Sequence, residues 1–373
     1  MKLLIHDLNE SEWSKVAAEY EGWKVISDNG SIKPCAGCFG CWFKTPGQCV
    51  IKDGYDQMGN LIHEAKEVVV ISKYTYGGFS SFIKTVFDRS IGYILPYFRF
   101  YQGEMHHKTR YRESKPITFV FRGTGLTEQD KEKATQYVKA VVTNFNGKLK
   151  EIRFVEYEVT AKNAENMPVN TETAVIPGKT IFLNCSLRGE EANSKKFLDV
   201  LADNVEGEKE NINLMAYSTK LDELVDILMT AEKIVFGMPL YVDGVPSTVL
   251  RIMEKLEAKG VSNKKIYAVA NMGFYESKQI RNLLSMMKTW CDECGIEYGG
   301  GIAIGAGGML GNLIHYGSHG PGKNAYDNLC TLGEAVNSSI SVADLYVDAY
   351  KFPRIAYFFT ANSIMRNSVK KNK

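Results

Sequence analysis

The chain has 373 residues, enough for two ordinary domains, and 45% hydrophobic with 24% charged residues excludes a disordered chain and implies a real core. Lysine and arginine number 45 against 43 aspartate and glutamate, so no electrostatic bias points to nucleic acid or an anionic membrane, and the expected partners are small molecules. No apolar run of about eighteen residues occurs, and MKLLIHDLNESEW lacks the apolar region and cleavage site of a signal peptide, so a cytoplasmic protein is expected.

In chain order, MKLLIHDL reads as a strand and SEWSKVAAEYEG as a short helix. PCAGCFGCWFKTPGQCVIKDG follows at 34–54, with four of the eight cysteines, Cys35, Cys38, Cys41 and Cys49, at spacing C-x2-C-x2-C-x7-C. In a reducing compartment, clustered cysteines are more often metal ligands or redox catalysts than structural disulfides. Three cysteines at two-residue gaps open many [4Fe-4S] sites, and Pro46-Gly47 offers a turn that returns Cys49 toward them. Four thiolates also satisfy zinc, Cys35 and Cys38 would also serve as a redox dithiol, and free cysteines also act as small buried hydrophobes.

Two stretches overlay without a gap, DQMGNLIHEAKEVVVISKYTYGGFSSFIKTVFDR from Asp56 and DELVDILMTAEKIVFGMPLYVDGVPSTVLRIMEK from Asp222. Each passes from an amphipathic helix through Ala65 or Ala231 into an apolar run of buried-strand length, then a loop with an aligned glycine, Gly78 or Gly244, and a second helix. Around them, KPITFVFRG, KTIFLNCS, KKIYAVANMG and IEYGGGIAI read as strands alternating with helices at EKATQYVKAVVTNF, SKKFLDVLADNV and ESKQIRNLLSMMKTWCDECG. Such alternation forces parallel sheets covered on both faces, so the fold class is α/β with two tandem doubly wound parallel-sheet domains. The linker is expected in VTAKNAENMPVNTETAVIPG, where turn-forming residues replace apolar periodicity.

Open α/β sheets bind ligands beyond the carboxyl ends of their strands. In the second half, NCSLRGEEANS places Ser186, Arg188, Asn193 and Ser194 beside the amides of a helix N-terminus, a combination suited to phosphate, with ordinary helix capping by Asn193 or Ser194 as the alternative. GMPLYVDGVPS offers Pro239 and Tyr241 to a flat heteroaromatic ring, and NMGFYES supplies Asn271, Gly273 and Phe274 for its other edge. A phosphate end and a planar end on one rim describe a mononucleotide such as FMN.

From KTIFLNCSLRGEEANS through GMPLYVDGVPS and NMGFYES to the tail FPRIAYFFTANSIMRNSVKKNK, the second half resembles the flavodoxin-like NAD(P)H-dependent FMN reductases and the related iron-sulfur flavoproteins. The resemblance implies two flavodoxin-like domains, 1–160 and 176–373. Ser186, Arg188, Asn193 and Ser194 would hold the FMN phosphate, while Pro239, Leu240, Tyr241, Val242, Asp243 and Gly244 with Asn271, Met272, Gly273 and Phe274 would frame the isoalloxazine. Cys185 stands where these proteins usually have glycine. The first half resembles the family through its cysteine spacing, which implies that Cys35, Cys38, Cys41 and Cys49 ligate a [4Fe-4S] cluster. After MKLLIHDL comes NESEWSK, without the serine-arginine-asparagine set, and Asp53-Gly54 stands where an aspartate pair is more usual, so no FMN is expected there. The implied activity is electron transfer from NAD(P)H through FMN to a small molecule or an electron-carrier protein, in a chain that could form a homo-oligomer. An electron-transfer or redox-sensing flavoprotein without its own turnover is the other reading. Flavin supplies the chemistry, so no catalytic acid-base residue is expected.

Three lesser signals remain. His106 and His107 in PYFRFYQGEMHHKTRYR point apart on a regular element and read as surface or interface residues. Cys291 and Cys294 sit at the end of an amphipathic helix and read as packing residues, while His315 and His319 lie in a glycine-punctuated loop poorly suited to one metal.

Overall fold

The computed structural model describes residues 1–156 and 175–372. The chain divides into two compact units, Met1–Asn163 with Phe358–Lys373, and Ala164–Tyr357. Most of the expected linker therefore lies outside the described residues.

The first unit runs β1 (Lys2–His6), α1 (Glu10–Val16), β2 (Lys24–Ser27), α2 (Gly40–Phe43), α3 (Met58–Glu64), β3 (Glu67–Thr75), β4 (Gly78–Phe79), α4 (Ser81–Arg89), β5 (Ile94–Tyr101), β6 (Glu104–Thr109), β7 (Pro116–Gly123), α5 (Glu128–Asn144) and β8 (Lys148–Glu156). Its strands pair in the order β2-β1-β3-β7-β8, all parallel, with β4 turned back on β3. The apolar runs Leu3–Ile5 and Val68–Ile71 are buried because helices cover both faces of the sheet. α5 holds its seventeen residues behind a capping box of Thr127 and Asp130, and its Tyr137, Val138 and Val141 fill the core.

The aromatic stretch between α4 and β7 is a β-hairpin, β5 against β6, turned at Gln102 (φ 50°) and Gly103 (φ 84°). Of its histidines, only His106 is a buried residue and His107 is half-buried. His106 is buried against Asn144 at 2.8 Å, and His107 packs on Trp42 and Phe98, where burial pushes its pKa down to about 3. The Asn362 side chain brackets Phe98 from both sides, accepting from its amide at 2.8 Å and donating to its carbonyl at 3.4 Å. Residues from Phe358 onward thus group with this unit, whereas the sequence reading carried the second domain through 373.

The second unit comprises β9 (Ile176–Asn184), α6 (Asn193–Asp203), β10 (Lys209–Asn213), α7 (Leu221–Met229), β11 (Ala231–Pro239), α8 (Ser247–Ala258), β12 (Lys265–Asn271), α9 (Arg281–Cys294), β13 (Glu297–Ile304), α10 (Gly307–Leu313), α11 (Lys323–Asn337) and β14 (Leu345–Val347). α12 (Arg354–Lys371) starts here. The six strands pair in parallel in the order β10-β9-β11-β12-β13-β14. At the amino ends of the strands, buried lysines cap helix carbonyls: Lys233 reaches Val336 at 2.9 Å and Lys264 reaches Met229 at 2.7 Å. Cys291 is fully buried on α9, as its packing role requires.

The ungapped overlay has a structural counterpart. α3-β3-α4 and α7-β11-α8 are the same supersecondary unit, and their loops turn alike: Tyr76 and Gly77 have φ of 51° and 95°, and the aligned Val242 and Asp243 have φ of 39° and 61°. Thr75 pairs with Gly78, and Tyr241 with Gly244, across the two turns. A left-handed β-branched residue is a true outlier, so Val242 stores more strain than its unbranched counterpart Tyr76.

Candidate functional site

Both sheets have the strand order 2-1-3-4-5 at their core, the flavodoxin-like arrangement, with the switch point between the first and third strands. In the second unit this rim is organised by Asn184, the last residue of β9, which is fully buried. Its Oδ1 accepts from the Ser186 amide at 3.3 Å and the Ser194 hydroxyl at 3.2 Å, and its Nδ2 donates to the Gly189 carbonyl at 3.0 Å and to Asn213 at 2.7 Å. One amide thereby fixes both ends of the loop. Gly189 (φ 57°) makes the turn, Arg188 is exposed, and Ser186 and Ser194 are buried.

The helix that follows begins at Asn193 with Ala192 as its N-cap, and no side chain caps it. The alternative role of Asn193 and Ser194 as caps is not realised. Asn193 instead packs against α10, where a Cβ added to Gly311 would lie 2.6 Å from its Oδ1. A first turn with backbone N–H groups and no capping side chain, beside two buried hydroxyl side chains, is a ready anion seat. Cys185 is buried too, and its thiol donates to the Leu183 carbonyl at 3.4 Å.

The second and third loops meet at the same rim. The Leu240 amide donates to the Asn271 carbonyl at 2.8 Å, joining Pro239–Gly244 to Asn271–Phe274. The carbonyls of Met272, Gly273 and Phe274 accept from the Gly307 amide (2.7 Å), the Tyr357 hydroxyl (2.6 Å) and the Ala306 amide (2.5 Å). This close approach explains Gly305, where a Cβ would sit 2.1 Å from the Tyr275 carbonyl oxygen. Asn271 Oδ1 is buried with no hydrogen-bond partner, an orphaned acceptor at the carboxyl end of β12. These residues therefore fit a ligand with an anionic end and a flat polar ring, and FMN has both.

The first unit's rim differs at each point. Asp7 follows β1, and Arg122 at the end of β7 pairs with it at 2.9 Å and with Glu12. Asn9 and Glu12 close the first turn of α1 as a capping box. A cavity of about 320 Å³ remains, lined by these residues with Lys73, Ser80, Ser81 and Phe82. Two carboxylates and a capped helix oppose a phosphate there.

The four clustered cysteines do converge. Cys35, Cys38, Cys41 and Cys49 line one cavity with Asp88 and Arg89. Arg89 is fixed by a two-pronged pair with Asp53 at 2.6 and 2.9 Å and by the carbonyls of Lys33 and Ile51, and its Nε donates to Cys49 Sγ at 3.1 Å. Burial raises the Asp53 pKa, but bonds from Arg89 and from the Lys33 and Tyr55 amides outweigh it and hold the carboxyl below its usual range. Burial pushes the Cys35 thiol up and Cys41 to about 12. The cavity measures about 20 Å³, on the order of one water molecule. Among the described residues no group of three or more His, Cys, Asp or Glu is placed to hold a metal ion. As arranged, the thiols do not fit a four-iron core.

Sequence reasoning missed Asn184, Gly311 and α10. A polar residue ending the apolar strand TIFLN was the available signal for the first, and the glycines of GAGGMLGNL hid the helix.

No family model matches the chain, and no curated protein matches it. Among solved structures it is similar to an FMN-dependent NADH-azoreductase from Bacillus anthracis in complex with FMN, with 14% identity over 44% of this chain and 99% of that one and a TM-score of 0.31. It is similar to rubredoxin oxygen:oxidoreductase from Desulfovibrio gigas, with 11% identity over 78% and 79% and a TM-score of 0.33. The Trp repressor binding protein from Bacillus subtilis gives 15% identity over 34% and 83% and a TM-score of 0.28. The flavodoxin-like assignment rests on strand order and register. Among the described residues no helix is long and apolar enough to cross a membrane.

Proposed function

We propose that the chain is a flavin oxidoreductase whose Ala164–Tyr357 unit binds FMN and passes electrons from NADH or NADPH to a small molecule or an electron-carrier protein. The observation that carries this reading is the first turn of α6, without a side-chain cap and flanked by Ser186 and Ser194 on the Asn184 amide. Ser186, Arg188, Asn193 and Ser194 would hold the phosphate, and residues 239–244 and 271–274 would frame the ring. When bound, flavin accepts a hydride and releases electrons singly or in pairs. The chain's share is positional. Asn184 presets the phosphate loop, the left-handed Val242-Asp243 turn presets the ring loop, and Asn271 Oδ1 supplies an acceptor for a ring N–H.

Titration of the purified chain with FMN, followed by flavin fluorescence, tests the binding. Quenching that saturates with one flavin per chain is expected, and flavin that remains free ends the reading. Steady-state NAD(P)H oxidation by the FMN-loaded chain then separates an enzyme from a carrier, because a carrier shows no turnover without a partner reductase.

A further inference from the structure

The four thiols of the cysteine loop are not equivalent. Cys38 is exposed, while Cys41 is only 8% exposed. Cys41 lies on α2, three residues after Cys38, and both line the same cavity. Between them Phe39 takes a left-handed φ of 57° and stacks on Trp42 at 5.1 Å. The Gly40 amide donates to Cys38 Sγ at 3.4 Å, folding that side chain back over the start of α2. Position 40 has no room for a side chain, since a Cβ there would meet Val50 at 2.5 Å and Cys38 Sγ at 3.4 Å. Cys41 itself is anchored. The Trp42 indole N–H donates to the carbonyls of Ile91 (2.9 Å) and Ile94 (3.0 Å), and the Gly47 amide donates to the Cys41 carbonyl at 3.0 Å. Cys49 is engaged by Arg89.

We propose that Cys38 and Cys41 form a dithiol–disulfide couple that exchanges with external disulfides, independently of the flavin reading. Exchange needs an attacking sulfur that a partner disulfide can reach and a resolving sulfur that the partner cannot reach but the mixed disulfide can. Cys38 meets the first need by its exposure and Cys41 the second by its burial on the neighbouring turn. Spacing i, i+3 around a helix start permits the Cα separation of about 5.5 Å that a disulfide requires. In the step, Cys38 loses its proton to solvent and its sulfur attacks one sulfur of the external disulfide R–S–S–R. A Cys38–S–S–R bond forms and one R–S⁻ leaves, taking up a proton. Cys41 then loses its proton and attacks Cys38 Sγ, the Cys38–Cys41 bond forms, and the second R–S⁻ leaves. The dithiol is oxidised by two electrons and the external disulfide is reduced by two.

The test uses the full chain, purified anaerobically, exposed to oxidised glutathione, quenched with N-ethylmaleimide and mapped by mass spectrometry. The expected result is loss of two alkylatable thiols, with Cys35 and Cys49 still alkylated. Cys41→Ser should retain glutathione on Cys38, whereas the unaltered chain releases it, and Cys38→Ser should lose both disulfide and adduct. Several results overturn the proposal: a disulfide that includes Cys35 or Cys49, no disulfide in the unaltered chain, or a Cys41→Ser protein that sheds glutathione as fast as the unaltered one. Co-purifying iron that shields all four thiols from N-ethylmaleimide overturns it equally.

Discussion

The two units share one strand order and one helix-strand-turn-helix module, yet their rims do opposite things with their polar residues. In the first unit these groups engage each other: Arg122 with Asp7 and Glu12, and Asn9 with Glu12. In the second, Asn184 fixes the loop from beneath while the first turn of α6 goes uncapped and Asn271 Oδ1 stays unpartnered. Polar groups that bond each other leave fewer partners for a ligand, whereas a buried acceptor without a partner can take one. The turns differ in degree, with the β-branched Val242 more strained than its counterpart Tyr76.

The largest expected effect is in the closed unit. Asp53→Asn leaves the Arg89 guanidinium buried with a neutral partner and should destabilise by about 3 to 5 kcal/mol in urea melts. The Asp53 pKa is lower folded than unfolded. Its stabilisation is therefore complete above the ordinary carboxylate value of about 3.9 and is lost as pH falls through the depressed value, so the variant's deficit should vanish in strong acid.

Asn193→Asp gives the first turn of α6 the acidic character that α1 already has. Folding stability should hold or rise slightly, since a carboxylate suits a helix N-terminus. FMN affinity should fall about thirtyfold, roughly 2 kcal/mol, by repulsion of the phosphate, measured by fluorescence titration. Unchanged affinity would remove the anion seat from the comparison. Val242→Gly should raise stability by about 1 to 2 kcal/mol in thermal melts while weakening flavin binding, because relieving the strain also frees the ring loop. Smallest is Asn9→Ala, which removes one cap at a cost of at most about 1 kcal/mol and should leave FMN titration unaltered.

Much of this was legible in the residues. Apolar runs such as VVVIS and KIVFGM can be satisfied only in a sheet covered on both faces, and the overlay of 56–89 on 222–255 predicted matching modules that the turns at 76–77 and 242–243 bear out. The loops that carry Ser186, Ser194, Pro239 and Asn271 follow strands, so their place on a rim followed from topology. The hairpin at β5 and β6 was not legible, because it is held by His107 on Trp42 and by the Phe98 backbone on Asn362, partners distant in sequence. Nor was α10, in which Gly307 and Gly311 are required by the approach of Asn271 and Asn193 rather than by any local preference.

The sequence by itself determined the alternation of strand and helix and the gathering of four cysteines on one loop, because periodicity and spacing are local properties of a chain. Only the tertiary structure decided that Ser186 and Ser194 gather on Asn184 beside the uncapped start of α6, that Asn271 is a buried orphan, and that Cys38 is exposed where Cys41 is not. Those outcomes depend on which polar atoms find partners across long sequence separations, and burial makes each missing or present partner count.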